Sequence, residues 1–191
     1  MLLQQTEYSD SINSFLHEER LPALGPGVPH TKLRAQLAGL DLSAAFAPHK
    51  IVNVDMARAC HAGLLLYHDF LEESHAISQG LANNTGSYWH GLMHRREPDY
   101  ANGKYWFHRV GAHPIFAELR RAAAQLAAAH TLDTPSEFLI KQTQWEPFAF
   151  IDLCEACAQG RSSQELLCRK IQLCEWQLLF EYCFRQATGA R

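Results

Sequence analysis

Residues 162–183 read SSQELLCRKIQLCEWQLLFEYC and carry the clearest structural signal in this chain. Apolar side chains recur there three or four positions apart, a spacing that places them on one face of an α-helix. The members of this stripe are Leu167, Ile171, Cys174, Leu178 and Tyr182. The tetrapeptide SSQE at 162–165 is typical of a capping box at a helix N-terminus. We therefore predict a long final helix that follows this box and turns one face towards the core.

Similar patterns predict helices over most of the preceding chain. Glycine, proline and asparagine separate them, and the predicted helices cover residues 52–79, 87–97, 100–110, 114–130, 137–144 and 147–159. The alternation that is typical of strands does not extend over a useful length. The sequence therefore predicts an all-α fold, a single-domain helical bundle with an irregular N-terminal arm.

The first fifty residues differ from the rest. Residues 1–20 predict a short amphipathic helix with Ile12, Phe15 and Leu16 on one side. The segment LPALGPGVPH at 21–30 is rich in proline and glycine and predicts an irregular arm, followed by a short helix at 32–40 and a connection at 44–50. We expect residues 1–50 to pack as a helix and arm on the core, and residues 51–191 to form the helical bundle domain.

Composition excludes several classes of protein. The chain has 191 residues, of which 47% are hydrophobic and 19% are charged, as in an ordinary globular domain. A net charge of -3 argues against nucleic acid or an anionic membrane as the main partner. The N-terminus MLLQQTEYSD lacks the apolar core of a signal peptide, and no apolar run is long enough to span a bilayer. We expect a cytoplasmic protein. The sequence is also compatible with a homo-oligomer.

The six cysteines include one C-x2-C pair, Cys154 and Cys157. A zinc ribbon requires a second such pair at a turn, whereas the remaining cysteines are spaced differently and lie in a helical pattern. We therefore expect reduced cysteines that pack as small apolar core residues.

Residues 85–114 read TGSYWHGLMHRREPDYANGKYWFHRVGAHP and contain four of the eleven histidines. Polar groups placed among large aromatic side chains either satisfy one another in a buried network or face a ligand. We predict a polar pocket formed by the long helix at 52–79 and residues 87–113. Its aromatic side chains could line the pocket or belong to the core.

Histidine spacing indicates a metal site. His90 and His94 are four positions apart and share a helix face with Glu97, an arrangement by which one helix offers two imidazoles to one ion. His61, His68 and His75 form a second stripe along the predicted long helix, and His75 is close enough in sequence to fold back onto His90. We predict that His75, His90 and His94 bind a divalent metal (Zn, Fe or Mn), or act directly as acid–base groups.

Two known metal motifs do not fit. A zinc protease requires Glu directly after the first histidine, where this chain has Gly91. Helical di-iron proteins require two Glu-x-x-His units, and only Glu72 with His75 supplies one. The same histidines could instead form a hydrogen-bonding face between helices.

Other polar residues of this segment predict substrate contacts. Glu97 or Asp99 would orient a ring or serve as the catalytic base, although Asp99 also suits a helix N-cap. The predicted ligands of a small anionic molecule are Arg95, Arg96, Asn102, Lys104 and Trp106. The arginines could equally pair with neighbouring acids. The sequence thus predicts a small-molecule enzyme of hydrolase or lyase type, and the alternative is a non-catalytic binding or interaction module whose polar cluster is structural.

Three blocks of the chain read SHAISQ at 74–79, YWHGLMHRREPDYANGKYWFHRVGAHP at 88–114 and WEPF at 145–148. Together they resemble the signature SH-x-I-(S/A)-Q, YWH-x-x-MHRRE-x-D-x-x-N-x-KYW-x-x-x-VG-x-HP and W-(E/D)-PF of an uncharacterised all-helical family from bacteria and fungi. The resemblance supports this choice of site residues and implies no activity. Gly91 and Gly103 lie inside predicted helices, where Gly costs about 1 kcal/mol relative to Ala, which indicates a close approach of two helices.

Overall fold

The computed structural model describes residues 8–190, and this part of the chain contains eleven α-helices and no strand. The prediction of an all-α, single-domain bundle is confirmed. In chain order the helices are α1 (Asp10–Leu16), α2 (Arg34–Ala38), α3 (Leu42–Phe46), α4 (Val54–Tyr67), α5 (Leu71–Gln79), α6 (Asn84–Arg96), α7 (Tyr100–Val110), α8 (Phe116–Ala127), α9 (Phe138–Lys141), α10 (Pro147–Ala158) and α11 (Glu165–Thr188).

On the final helix, α11, three members of the predicted stripe, Leu167, Ile171 and Cys174, are buried, whereas Leu178 and Tyr182 are half-buried. The predicted capping box is wrong. Helix α11 begins after Gln164 without a side-chain cap. The Ser162 hydroxyl and the Ser163 N–H instead donate to the Asp133 carboxylate, at 2.8 and 2.9 Å. These serines therefore attach the start of α11 to the loop before α9.

The predicted long helix at 52–79 is wrong, because the chain breaks between α4 and α5. Asp69 adopts a left-handed backbone conformation with φ of 64°, which Asp tolerates better than most residues. Its carboxylate accepts hydrogen bonds from Arg20 at 2.7 Å and from Arg96 at 2.6 Å. Two arginines from distant parts of the chain thus stabilise the break, and α5 turns away from the axis of α4 to pack against both α4 and α6.

The N-terminal region departs from the prediction in two places. Residues 42–46 form helix α3, which Asp41 caps, where part of a connection was expected. The predicted helix at 32–40 is a 3-10 turn (Thr31–Leu33) followed by α2. Helix α1 confirms part of the helix predicted at 1–20, of which residues 1–7 lie outside the described residues.

The arm between α1 and α2 is tied to the bundle by its backbone carbonyls. Arg169 donates to the carbonyl of Pro22 at 3.2 Å, and Arg96 donates to that of Gly25 at 2.7 Å. Leu24, which lies between Pro22 and Gly25 in the sequence, is buried and belongs to the hydrophobic core. The arm therefore packs on the helices, while the division of the chain into two units at residue 50 stays a prediction.

Helix α6 runs through the centre of the molecule, and every residue from Thr85 to Arg96 is buried. Helix α7 packs closely against it at Gly91, where an added Cβ would lie 2.8 Å from the Phe107 ring. The close approach that the glycines indicated is thus present at Gly91. At Gly103 the nearest atom to an added Cβ is 3.5 Å away, an ordinary contact.

Within residues 8–190, no helix is both long and apolar enough to cross a membrane. All six cysteines are free, and five of them are buried in the two hydrophobic clusters that form the core, as expected for apolar packing. The sixth, Cys157, is half-buried.

Candidate metal centre

The structure brings His75 of α5 together with His90 and His94 of α6. Ring centroids lie 4.5 Å apart for His75 and His90, 4.7 Å for His90 and His94, and 5.3 Å for His75 and His94. One ring nitrogen from each histidine lies within 4.8 Å of the other two. This cluster is the only group of three potential metal ligands of this kind within residues 8–190.

Local sequence features explain why these helices meet. Asn83 caps α6 by accepting a hydrogen bond from Gly86 N–H at 2.8 Å, so the helix starts one short turn after α5 ends at Gly80. The buried Ser74 hydroxyl donates to the Ala62 carbonyl of α4 at 2.9 Å, which fixes the rotation of α5. The next residue, His75, then faces α6, where the four-residue spacing presents His90 and His94 one turn apart.

Burial keeps two of the imidazoles neutral. His90 is 1% exposed and His94 is 6% exposed, whereas His75 is half-buried. Burial, with His94 and His75 as neighbours, lowers the pKa of His90 to about 3. Burial also lowers the pKa of His94, although the nearby Glu97 carboxylate opposes this shift. Neutral imidazole is the form that binds a metal ion.

Glu97 and Asn102 contact the ring of His94. The Glu97 carboxylate lies 3.1 Å from His94 Nδ1, so this ring nitrogen donates its proton and Nε2 keeps its lone pair. The Asn102 amide nitrogen lies 3.1 Å from His94 Nε2 and 3.4 Å from His94 Nδ1, so it contacts both nitrogens of the ring and does not lie along the Nε2 lone pair. This lone pair is therefore not blocked by Asn102.

His90 is held differently. The indole of Trp106 stacks on its ring, with centroids 3.8 Å apart and planes 14° apart. His90 Nδ1 is buried and has no hydrogen-bond partner among the described residues. A buried polar atom without a partner costs free energy. His90 is therefore poorly explained by packing alone.

The donor set fits a divalent ion such as zinc. Three nitrogens at ~2.1 Å from tetrahedral Zn²⁺ lie about 3.4 Å from one another. The nitrogens of this cluster need small side-chain rotations to reach that separation from within 4.8 Å. His75 can move most freely because it is half-buried. The ordered Trp106 stack and the Glu97 contact already orient the other two rings.

Several predicted substrate ligands lie elsewhere. Arg95 donates to Glu175 at 2.6 Å and stacks on the Phe150 ring, and its side chain is 1% exposed. Arg96 is buried against Asp69. Arg95 and Arg96 are the two residues after His94. Successive side chains on an α-helix are rotated by about 100°, so these two point away from the histidine face. The structure does not bring these two arginines together with the cluster.

The remaining predicted residues lie on α7 or at its start. Asp99 is exposed and caps α7 by accepting from Asn102 N–H at 3.2 Å. Its charge still acts on the cluster, since it raises the pKa of His94 against the effect of burial. Lys104 forms a surface ion pair with Asp152. The cluster is therefore surrounded by Glu97, Asp99, Asn102 and Trp106. Lys104 is two residues from both Asn102 and Trp106, so its side chain points to the other side of α7.

His61 and His68 of the predicted stripe contact the N-terminal region and not the cluster, and two of the aromatic side chains belong to the core. His61 Nε2 contacts the Leu37 carbonyl at 2.7 Å and His68 Nε2 the Phe15 carbonyl at 2.9 Å, so both brace the N-terminal region. Tyr88 and Trp89 are fully buried in the core. Beside Arg95 and Arg96 lies a cavity of about 20 Å³, room for about one water molecule.

Comparison of the chain with models of known families, with curated proteins and with solved structures finds no match in any of the three. The function must therefore be inferred from the geometry of the cluster.

Proposed function

We propose that this protein is a metal-dependent enzyme acting on a small molecule, with a divalent ion (Zn, Fe or Mn) held by His75, His90 and His94. The observation that carries the proposal is the convergence of three imidazole nitrogens, from two helices, to within 4.8 Å. The rings are also in the form that a metal ion requires, because burial and the two neighbouring histidines lower the pKa of His90 to about 3 and keep it neutral.

One side of the histidine cluster is more exposed than the other, and a catalytic metal centre explains this difference better than a structural one. Three protein ligands leave coordination positions free, whereas structural zinc is closed by four. The half-buried His75, Asn102 and Trp106 form the outward side of the cluster, and the exposed Glu97 and Asp99 flank it. A divalent ion there would supply a Lewis acid and a bound water of lowered pKa.

The chain's own residues have distinct tasks in this proposal. Glu97 holds the proton of His94 Nδ1 and keeps that ring in one tautomer. Asp99 is the exposed carboxylate that would serve as the catalytic base, although capping α7 limits its movement. The Asn102 amide, which contacts the His94 ring, would donate a hydrogen bond to a ligand. These roles suit a hydrolase or a lyase.

A small anionic substrate remains part of the proposal, with a revised set of contacts. Arg95 and Arg96 are engaged in buried ion pairs whose disruption would be costly. Lys104 also lies elsewhere: it is two residues from both Asn102 and Trp106 on α7, so its side chain points to the opposite side of that helix, where it pairs with Asp152. In the revised set the metal ion itself, with the Asn102 amide and the Trp106 ring, would meet the substrate carboxylate or phosphate.

A structural network is the second candidate. It is favoured by the Trp106 stack on His90 and by the hydrogen bonds that His94 makes with Glu97 and Asn102. In this alternative the cluster fixes how α5, α6 and α7 pack, and the protein is a non-catalytic binding or interaction module.

Elemental analysis of protein purified without a histidine tag distinguishes the two. The catalytic proposal expects near-stoichiometric metal in the wild type, and its loss in a folded His90→Ala/His94→Ala variant. His68→Ala is the matched control, because His68 is also buried, at 1% exposed, but contacts the Phe15 backbone carbonyl away from the cluster. Absence of metal after supplementation, with a strongly destabilised double variant, would overturn the metal centre and favour the structural network.

A further inference from the structure

Two cysteine thiols are in contact at the junction of α10 and α11. Cys157 lies in the last turn of α10 and Cys168 in the first turns of α11, and their Sγ atoms are 3.8 Å apart. The intervening loop turns at Gly160, which has φ of +69°. The metal proposal makes no use of this pair, and it lies on other helices.

The two thiols differ in access to solvent. Cys157 is half-buried, whereas Cys168 is 0% exposed and so is reached by solvent only through its neighbour. Cys154, one turn before Cys157 on α10, is also buried and hydrogen-bonds Cys168 from the other side. Cys168 is therefore flanked by two thiols, and one of the two is open to small molecules.

Their hydrogen bonds also make them chemically unequal. Donation from the Cys168 thiol, with help from Ser162 and the Gln164 N–H, lowers the pKa of Cys157 to about 7. Hydrogen bonds to Cys154 and Cys157, together with burial, raise the pKa of Cys168. The thiolate is the reactive form of cysteine, so Cys157 is suited to attack an oxidant. Cys168 lies within reach of the oxidised sulfur, since the two Sγ atoms are 3.8 Å apart.

We propose that Cys157 and Cys168 form a reversible oxidation site, at which a peroxide converts the two thiols to a disulfide. The Cys157 thiolate attacks one peroxide oxygen and becomes a sulfenic acid, and the other oxygen leaves as hydroxide and takes up a proton. Cys168 sulfur then attacks the sulfenic sulfur, and its thiol proton leaves with the sulfenic oxygen as water. Two sulfurs are oxidised and one peroxide is reduced to two waters.

The geometry needs only a local adjustment. A disulfide has an S–S distance of about 2.05 Å, so the sulfurs must approach by less than half of their present separation of 3.8 Å. Rotation about the Cα–Cβ bond of the half-buried Cys157 moves its sulfur without moving α11. The product would fasten the end of α10 to the start of α11.

A second pair of thiols provides an internal control. Cys60 and Cys183 also hydrogen-bond each other, and both are 0% exposed. If proximity alone governed oxidation, this pair would react as readily. If oxidation depends on a solvent-exposed thiolate, Cys157 and Cys168 react first and Cys60 and Cys183 stay reduced.

The test treats the reduced full-length protein with hydrogen peroxide under native conditions and maps the disulfides by mass spectrometry after blocking free thiols. We expect a single bond between Cys157 and Cys168, with loss of two hydrogen atoms, and its complete reversal by dithiothreitol. In Cys168→Ser, a sulfenic acid at residue 157 should be trapped by dimedone. In Cys157→Ser, no disulfide should form at the same peroxide concentration.

Three results would overturn the proposal. They are a bond between Cys154 and Cys168, a bond between Cys60 and Cys183 at the same rate, and peroxide-treated wild type whose six thiols remain free. The wild-type map needs no variant to fold, so the outcome does not depend on how well serine is tolerated. The metal content of the oxidised protein should be unchanged, which separates this site from the histidine cluster.

Discussion

The indole of Trp106 lies flat on the imidazole of His90, with ring centroids 3.8 Å apart and planes inclined by 14°. The ring of His90 has no hydrogen bond at its buried Nδ1, so ring contacts orient it, and the Trp106 stack is the shortest of them. Trp106 comes from α7 and His90 from α6, and the contact therefore ties the predicted metal ligand to the neighbouring helix. The consequences for binding can be measured.

Removing the indole should weaken metal binding more than it weakens the fold. Trp106→Ala frees the His90 ring to rotate, and loss of a group that orients a ligand typically reduces metal affinity about 10–100-fold. Competition with a chelator measures the change, and Tyr105→Ala is the control because Tyr105 is exposed on the same helix. Equal affinity in Trp106→Ala and wild type would contradict an orienting role.

Acid should destabilise the metal-free protein. Burial lowers the pKa of His113 to about 4, whereas an unfolded histidine has a pKa of about 6.5. Between those two values the unfolded state binds more protons than the folded state, so the free energy of unfolding decreases as the pH falls. His90 acts in the same direction over a range that extends to about pH 3.

Urea unfolding at a series of pH values, in the presence of a chelator, measures this dependence. His113→Gln removes one of the buried titrating rings and should flatten the slope between pH 6.5 and pH 4, whereas the exposed His108→Gln should leave it unchanged. A slope unaffected by His113→Gln would show that other groups cause the acid sensitivity.

Asp69 is expected to be among the most sensitive polar residues of the fold. Its carboxylate is 5% exposed and pairs with both Arg20 and Arg96, the latter also buried. Asp69→Asn keeps a residue that tolerates the left-handed backbone but leaves the Arg96 charge without its counter-ion. Breaking a buried pair in this way typically costs about 3–5 kcal/mol.

Chemical denaturation of Asp69→Asn measures the loss. Asp152→Asn is the matched control, because Asp152 also pairs with a cation, Lys104, but at the surface. Such pairs contribute about 0–1 kcal/mol, so the control should be nearly as stable as wild type. If the free energy of unfolding fell by similar amounts in the two variants, the buried ion pairs of Asp69 would be no more stabilising than a surface pair.

Local signals in the sequence were sufficient to predict several helices. Helix α7 has the predicted bounds, because Asp99 caps its start and Gly111 follows its end with φ of +61°. Helix α10 begins at the predicted Pro147, since proline suits the first turn of a helix. These boundaries depend on neighbouring residues, which the sequence displays directly.

The break at Asp69 depends on Arg20 and Arg96, which lie 49 and 27 positions away. Apolar periodicity continues across residues 68–70, so the local sequence pattern does not predict the helix break at Asp69. The position of His94 relative to His90 follows from helix geometry alone, whereas that of His75 requires the break and the turn after Gly80. This is why the histidines could be chosen from the sequence but the long helix could not be rejected.

The ion-pair partners of the arginines could not be predicted for a similar reason. Arg95 is paired with Glu175, 80 positions further along the chain on α11. A basic cluster in the sequence is equally compatible with an anionic ligand and with distant internal partners. Only the packing of α11 against the bundle distinguishes the two, and it assigns Arg95 to an internal pair.

Two glycines offer a matched test of how closely α6 and α7 approach. An added Cβ at Gly91 would lie 2.8 Å from the Phe107 ring, whereas at Gly103 the nearest atom is 3.5 Å away. Gly91→Ala must therefore displace the buried Phe107, and overpacking of this kind costs about 1–3 kcal/mol. Gly103→Ala gains helix propensity of up to about 1 kcal/mol without a clash.

Thermal and urea unfolding of the two variants should consequently change in opposite directions. His90 also lies next to Gly91, so a shift of α7 at this point would displace Trp106 from its stack on the His90 ring. Gly91→Ala should thus lose metal affinity as well as stability, while Gly103→Ala keeps its metal and is at least as stable as wild type. If both variants were equally stable, the contact between Gly91 and Phe107 would be looser than the structure shows, and the helix pair would not be what positions Trp106 against His90.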